Sequence, residues 1–119
     1  MERCDLDAYQ LAKTIVEALE EKKAEDILLL DLREVAPFTD YFVICSGTSD
    51  RMLRALVDAV MKKVRQVYRF NRKLEGMPSD GWIVADFGDV VLHLFSPDQR
   101  NYYRLEELWS EGKVLLHVQ

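Results

Sequence analysis

Two runs, Trp82-Ile83-Val84-Ala85-Asp86-Phe87 and Val90-Val91-Leu92-His93-Leu94-Phe95, joined by Gly88-Asp89, decide the fold. Both runs are rich in β-branched and aromatic residues, and a glycine-containing pair between such runs makes a tight hairpin. Directly behind them, Ser96-Pro97-Asp98-Gln99 supplies an N-cap hydroxyl, a proline at the first helical position and a capping-box glutamine. The helix that starts there carries Tyr102, Tyr103, Leu105, Leu108 and Trp109. Beyond it, residues 110–119 read as a C-terminal tail, in which Val114-Leu115-Leu116 either adds an edge strand or stays loose.

Upstream of the hairpin lies a loop with Asn71, Glu75-Gly76, Pro78 and Asp80-Gly81, preceded by a helix from about Asp50 to Tyr68 capped by Thr48 or Ser49. Leu53, Leu56, Val57, Val60, Val64 and Val67 fall in one stripe of that helix, and Arg51, Arg54, Lys62, Arg65 and Arg69 lie on the other side. Before it, Tyr41-Phe42-Val43-Ile44-Cys45 reads as a strand ending at Ser46-Gly47-Thr48-Ser49, and Ile27-Leu28-Leu29-Leu30 with Leu32 as a strand packed on both faces. The turn of about six residues between these two favours an antiparallel pair. Near the N-terminus, Ala8, Leu11, Ala12, Ile15, Ala18 and Leu19 mark a surface helix over Asp7–Lys23, with Asp5 or Asp7 as its cap.

The order is helix, strand, strand, helix, strand, strand, helix, and the step from the second strand through the helix to the third suits a right-handed parallel crossover. We therefore expect an α/β fold, a single domain over residues 1–109 with a mixed β-sheet packed by helices. With 119 residues, 49% hydrophobic and 31% charged, and only 5 Gly and 3 Pro, the chain has the makings of one packed core. No apolar run approaches the ~18 residues that cross a bilayer, and Met1-Glu2-Arg3-Cys4-Asp5 lacks the build of a secretory signal, so the expected location is cytoplasmic and no membrane partner is expected.

Chemistry is sparse. Cys4 and Cys45 make neither a disulfide framework nor a metal site, and Cys45 reads as a small buried hydrophobe. His93 and His117 stand 24 residues apart with no partner at metal-ligand spacing; His93 reads as a structural or contact residue and His117 as tail. Asp86 and Asp89 straddle the hairpin turn and Asp31 is alone on its strand, so no paired carboxylates for two-metal phosphoryl transfer are seen. The Ser46–Ser49 turn either caps the helix or holds a phosphate at its free N–H groups, which keeps a nucleotidyltransferase-like phosphate-binding enzyme as an alternative. We expect no catalytic residues, metal or cofactor.

Charge is unevenly distributed. The net charge of −5 divides into −7 over residues 1–50, +7 over 51–73 and −5 over 74–119. The basic block keeps an RNA-binding module alive, with Arg51, Arg54 and Arg65 as candidate contacts, against the plainer reading of a solvated helix face. The aromatics Trp82, Tyr102, Tyr103 and Trp109 are divided between core and surface, with Trp82 and one tyrosine expected outside.

Thr39-Asp40-Tyr41-Phe42-Val43-Ile44-Cys45-Ser46-Gly47-Thr48-Ser49, Glu75-Gly76, the run Gly81–Phe95, Arg100, Tyr102-Tyr103-Arg104-Leu105-Glu106 and Leu108-Trp109 together closely resemble the ribosomal silencing factor family, RsfS or Iojap. The resemblance covers about residues 8 to 109. It implies a non-enzymatic translation repressor that binds the large ribosomal subunit through its fourteenth ribosomal protein and blocks association with the small subunit, when nutrients are scarce or during ribosome biogenesis. It also implies a nucleotidyltransferase-like core without catalytic carboxylates, and members that form dimers. Carried over by position, the partner-binding surface comprises Glu75, Trp82, Asp86, His93, Tyr102 and Tyr103, with weaker cases for Asp40 and Arg100. Trp82 is then an apolar anchor, Glu75 and Asp86 meet basic side chains, and the tyrosines add area and hydroxyls. The basic helix face is left to lie near ribosomal RNA as a secondary contact. Met77-Pro78-Ser79 ahead of Asp80 and the length of the tail depart from the family pattern.

Overall fold

A computed structural model describes residues 8–34, 39–67, 73–76, 81–103 and 113–118. The elements run α1 (Ala8–Glu21), β1 (Glu25–Asp31), β2 (Tyr41–Ser46), α2 (Asp50–Val67), β3 (Lys73–Glu75), β4 (Trp82–Asp86), β5 (Val90–Phe95), α3 (Pro97–Tyr103) and β6 (Lys113–Val118). Among the described residues, six strands form one mixed sheet in the order β3-β4-β5-β2-β1-β6. The α/β domain with helices on a mixed sheet is as the pattern implies, and β1 pairs antiparallel with β2.

The crossover lands one strand later than expected. β2 pairs in parallel with β5, and β4 sits outside β5 as its antiparallel hairpin partner. Burial explains the choice: every residue of Val90–Phe95 is buried, as suits a central strand, whereas Trp82–Asp86 alternates between buried and half-buried. The hairpin itself forms as read, with the Phe87 N–H donating to the Val90 carbonyl at 2.9 Å across Gly88-Asp89.

Two further strands extend the sheet. Lys73–Glu75, expected to be loop, pairs with β4 over three residues. Lys113–Val118 takes the edge-strand alternative and pairs antiparallel with β1. His117 is accordingly a strand residue, and its Nε2 lies 2.5 Å from Asp26 Oδ1. The proposed caps at Asp5 and Asp7, Cys4, most of the loop ahead of Trp82, Arg69 and the stretch with Leu105, Leu108 and Trp109 lie outside the described residues.

Each face of the sheet has its own core. On one, Ile27, Leu29, Val43, Cys45, Ala85, Leu92 and Leu94 meet the apolar stripes of α1 (Leu11, Ile15, Leu19) and α2 (Leu53, Leu56, Val60, Val64). On the other, Leu28, Leu30, Leu32, Phe42, Ile44, Val91 and Phe95 pack together with Trp82 and Val84 beside them. Alternation of side chains along each strand is what sends these two sets to opposite faces. Cys45 is fully buried, and loss of hydration drives its thiol pKa far up, so it is the inert hydrophobe expected.

Candidate functional site

Strand register gathers four of the carried-over residues on the sheet face away from α1 and α2. Glu75 pairs with Val84, Val84 with His93 and His93 with Ile44, forming one row across four strands. Trp82 pairs with Phe95, and Asp86 with Val91, so Trp82 and Asp86 flank that row on β4 about 13 Å apart at strand rise. α3, with Tyr102 and Tyr103 in its last turn, follows β5 directly; the side chains of Glu75 and of both tyrosines lie outside what the structure describes.

Trp82 is held from both sides of the backbone. Gly76 has φ +89°, and a Cβ there would meet the Trp82 carbonyl oxygen at 2.2 Å. Gly81 has φ +75°, and a Cβ there would meet Ser96 Oγ and Gln99 Cγ at 2.7 Å. Only glycine combines that left-handed backbone with so close an approach. The Ser96 N–H donates to the Gly81 carbonyl at 2.9 Å, and Ser96 Oγ accepts the Gln99 N–H at 3.3 Å, so the start of α3 and the start of β4 are locked together.

The indole of Trp82 is half-buried. It stacks on Phe95 with centroids 5.1 Å apart, and its Nε1–H donates to His93 Nδ1 at 3.2 Å. His93 itself is only 6% exposed, with Phe42 edge-on at 4.6 Å and Phe95 nearly parallel at 6.2 Å. Burial lowers its pKa to about 4, with the charge of Asp86 acting weakly in the opposite direction. The ring is therefore neutral at pH 7, and with Nδ1 accepting, its proton sits on Nε2, which is buried and has no hydrogen-bond partner among the described residues.

Asp86 is half-buried, with Oδ1 accepting the Gly88 N–H at 2.8 Å and so bracing the hairpin turn. Asp40 lies at the opposite end of the strands from Trp82, beside Asp89, and partial burial followed by the Asp89 charge raises its carboxyl pKa. Arg100 is 6% exposed: Nη1 donates to the Asp26 carbonyl at 2.6 Å and to Ser46 Oγ at 3.1 Å, tying α3 to the ends of β1 and β2. Its guanidinium works inside the fold, so the weaker docking case for Arg100 gives way to a structural one.

Around the Ser46–Ser49 turn the capping alternative is the one realised: Ser49 Oγ accepts the Met52 N–H at 3.1 Å. Asp31 makes a two-point ion pair with Arg33, at 2.8 and 2.9 Å, and is thus engaged by the turn that follows its strand. Arg51, Arg54 and Arg65 are exposed on α2, on the sheet face opposite Trp82. Phe42 and Phe95, which cage His93, are not among the residues the sequence singles out for this face; the two-residue spacing of His93 and Phe95 is the signal in the chain that places them side by side.

A single α/β domain thus sets a half-buried tryptophan and flanking carboxylate positions on one sheet face. The profile described as "Ribosomal silencing factor during starvation" matches residues 5–118, and the chain belongs to that family. It is 38% identical over 109 residues to the ribosomal silencing factor RsfS of Bacillus subtilis, covering 92% of each chain. It is also 38% identical over 99 residues to the mouse protein named mitochondrial assembly of ribosomal large subunit protein 1, covering 81% of this chain and 43% of that one. A crystal structure from Chromobacterium violaceum superimposes with a TM-score of 0.81 at 33% identity, covering 86% of this chain and 85% of that chain.

Proposed function

We propose that the protein is a non-enzymatic cytoplasmic factor that binds the large ribosomal subunit through its fourteenth ribosomal protein and sterically blocks joining of the small subunit, repressing translation. The observation that carries this reading is Trp82, half-buried and braced by Gly76, Gly81 and Phe95, on the face that also holds Asp86 and the Glu75 position. Aromatic anchors of this kind dominate interface energetics, and carboxylates beside one suit a basic ribosomal protein. Tyr102 and Tyr103 contribute from α3. The block needs occupancy of the docking surface and no bond chemistry.

The test is co-sedimentation with large subunits, alongside light scattering of subunit joining. Trp82→Ala is expected to weaken binding by roughly 30-fold, the ~2 kcal/mol of a hot-spot residue, and to relieve the block in proportion. Equal binding by wild type and variant would remove Trp82 as the anchor; absence of binding by the wild type would overturn the ribosomal reading.

A second contact is favoured by a specific observation. Among the described residues, Arg51, Arg54 and Lys62 are exposed on α2 and make no ion pair, whereas neighbouring Lys63 is engaged by Glu21 at 2.7 Å. We propose that this stripe, with Arg65, lies against ribosomal RNA once the sheet face has docked. We also propose that the free protein pairs with a second copy, using the apolar edge strand β6.

A further inference from the structure

We propose that His93 is the positioning residue of the Trp82 anchor, acting on the partner only through the indole whose N–H it accepts. The inference rests on the docking reading of Trp82 and adds to it the residue that sets the anchor's orientation.

Four observations converge on His93. First, Trp82 and His93 sit diagonally across the β4–β5 ladder, Trp82 opposite Phe95 and His93 opposite Val84, on the same face, where a long side chain reaches its diagonal neighbour. Second, the Trp82 Nε1–H donates to His93 Nδ1 at 3.2 Å, which fixes the rotation of the indole about its side-chain bonds as stacking on Phe95 alone does not. Third, the histidine ring is itself immobilised, edge-on to Phe42 at 4.6 Å and near-parallel to Phe95 at 6.2 Å. Fourth, Nε2 is buried without a partner among the described residues, so the neutral ring keeps a donor that an apolar side chain of similar size would not have to bury.

That last cost is informative. A residue retained only to fill the space between Phe42 and Phe95 would be better replaced by Leu, and what Leu lacks is the acceptor at Nδ1. At 6% exposure His93 offers the partner almost no surface of its own. Engagement of the indole N–H inside the protein also means that this group is not presented to the partner, which meets the ring carbons of Trp82. The chemistry that recognises such a surface is apolar contact or a cationic side chain over the ring.

The experiment follows the indole N–H resonance of Trp82 by 15N–1H NMR, assigned by its loss in Trp82→Phe, together with affinity for large ribosomal subunits. In the wild type, a hydrogen-bonded indole exchanges its proton slowly; a fast-exchanging Trp82 indole would overturn the proposal without any His93 variant. His93→Leu, which keeps apolar volume but removes the acceptor, is expected to shift that resonance, accelerate its exchange and weaken subunit binding at least tenfold. His93→Asn places a carbonyl oxygen near the Nδ1 position and is expected to restore both readouts in part, which a purely space-filling role would not produce. An unchanged indole resonance in folded His93→Leu overturns the positioning role. A shifted resonance with wild-type affinity, in a protein whose binding Trp82→Ala does weaken, overturns the claim that orientation matters for docking. Unaltered binding by Trp82→Ala, in contrast, removes the docking reading, while the resonance still decides whether His93 holds the indole.

Discussion

His93 carries a proton balance that reaches beyond the contact face. Its folded pKa of about 4 lies below the ordinary 6.5 because burial disfavours the imidazolium. Between those two values the unfolded chain binds the proton and the folded chain does not. Stability is therefore complete above about pH 6.5 and falls as the pH drops toward 4, by a total near 3 kcal/mol. Asp40, whose raised carboxyl pKa favours the folded state on acidification, acts in the opposite sense. Urea midpoints taken at pH 7, 5.5 and 4.5 check this, and in His93→Asn the decline is expected to be markedly shallower. Gly76 makes the complementary case for backbone. At φ +89°, with the Trp82 carbonyl 2.2 Å from any Cβ, Gly76→Ala must move either the β3 end or the start of β4. We expect a loss of at least about 2 kcal/mol in chemical denaturation, combining left-handed strain with the clash. Neither effect could be read from the chain alone. His93 among Val91, Leu92 and Leu94 announces burial, but its pairing with Trp82 depends on register, and Gly76 in a loop announces only a turn.

At the scale of elements, legibility followed the length and regularity of the pattern. The stripes of α1 and α2, the aromatic and β-branched β2 and the Gly88-Asp89 hairpin are local signals, and each element formed where its residues place it. β3 offered Leu74 as its one apolar residue, and it is a strand because β4 presents an open edge to it. The choice of β5 as the parallel partner of β2 is likewise a tertiary matter, settled by which hairpin arm tolerates burial on both faces. β6 is the element with the clearest consequence. It pairs with β1 on one side, and Val114, Leu115 and Leu116 are 58%, 42% and 37% exposed. Among the described residues no strand pairs with the outer side of β6, and a sheet margin with three consecutive apolar residues suits the proposed pairing with a second copy. Leu115→Glu, which places a charge in the middle of that margin, is expected to shift the free protein toward monomer in sedimentation equilibrium while leaving its thermal midpoint within a few degrees. A monomeric wild type across the accessible concentration range would count against β6 pairing.

At the scale of the whole molecule, the sheet separates the two surfaces proposed for contact. The face with Trp82, Asp86 and the Glu75 row looks away from α1 and α2, while the basic stripe of α2 lies on the far side. Net charge conceals this arrangement: −5 overall says little, whereas the +7 over residues 51–73 includes Arg51, Arg54, Lys62 and Arg65, all exposed on α2. Arg51 and Arg65 are about 21 Å apart along α2 at 1.5 Å per residue, a span that several consecutive phosphates can meet. Because the two faces point apart, their contributions separate by salt. Contact through Trp82 removes apolar surface from water and varies little with ionic strength, whereas phosphate contact releases counterions and weakens steeply as salt rises. The triple variant Arg51→Gln, Arg54→Gln, Arg65→Gln is therefore expected to bind large subunits with a shallower dependence of log affinity on log salt, by up to about one unit of slope for each phosphate that is no longer neutralised. Trp82→Ala is expected to lower affinity at every salt concentration and leave the slope unchanged. Titrations of subunit binding between low and moderate salt distinguish the two. A slope unaltered in the triple variant would return the α2 stripe to the role of a solvated helix face.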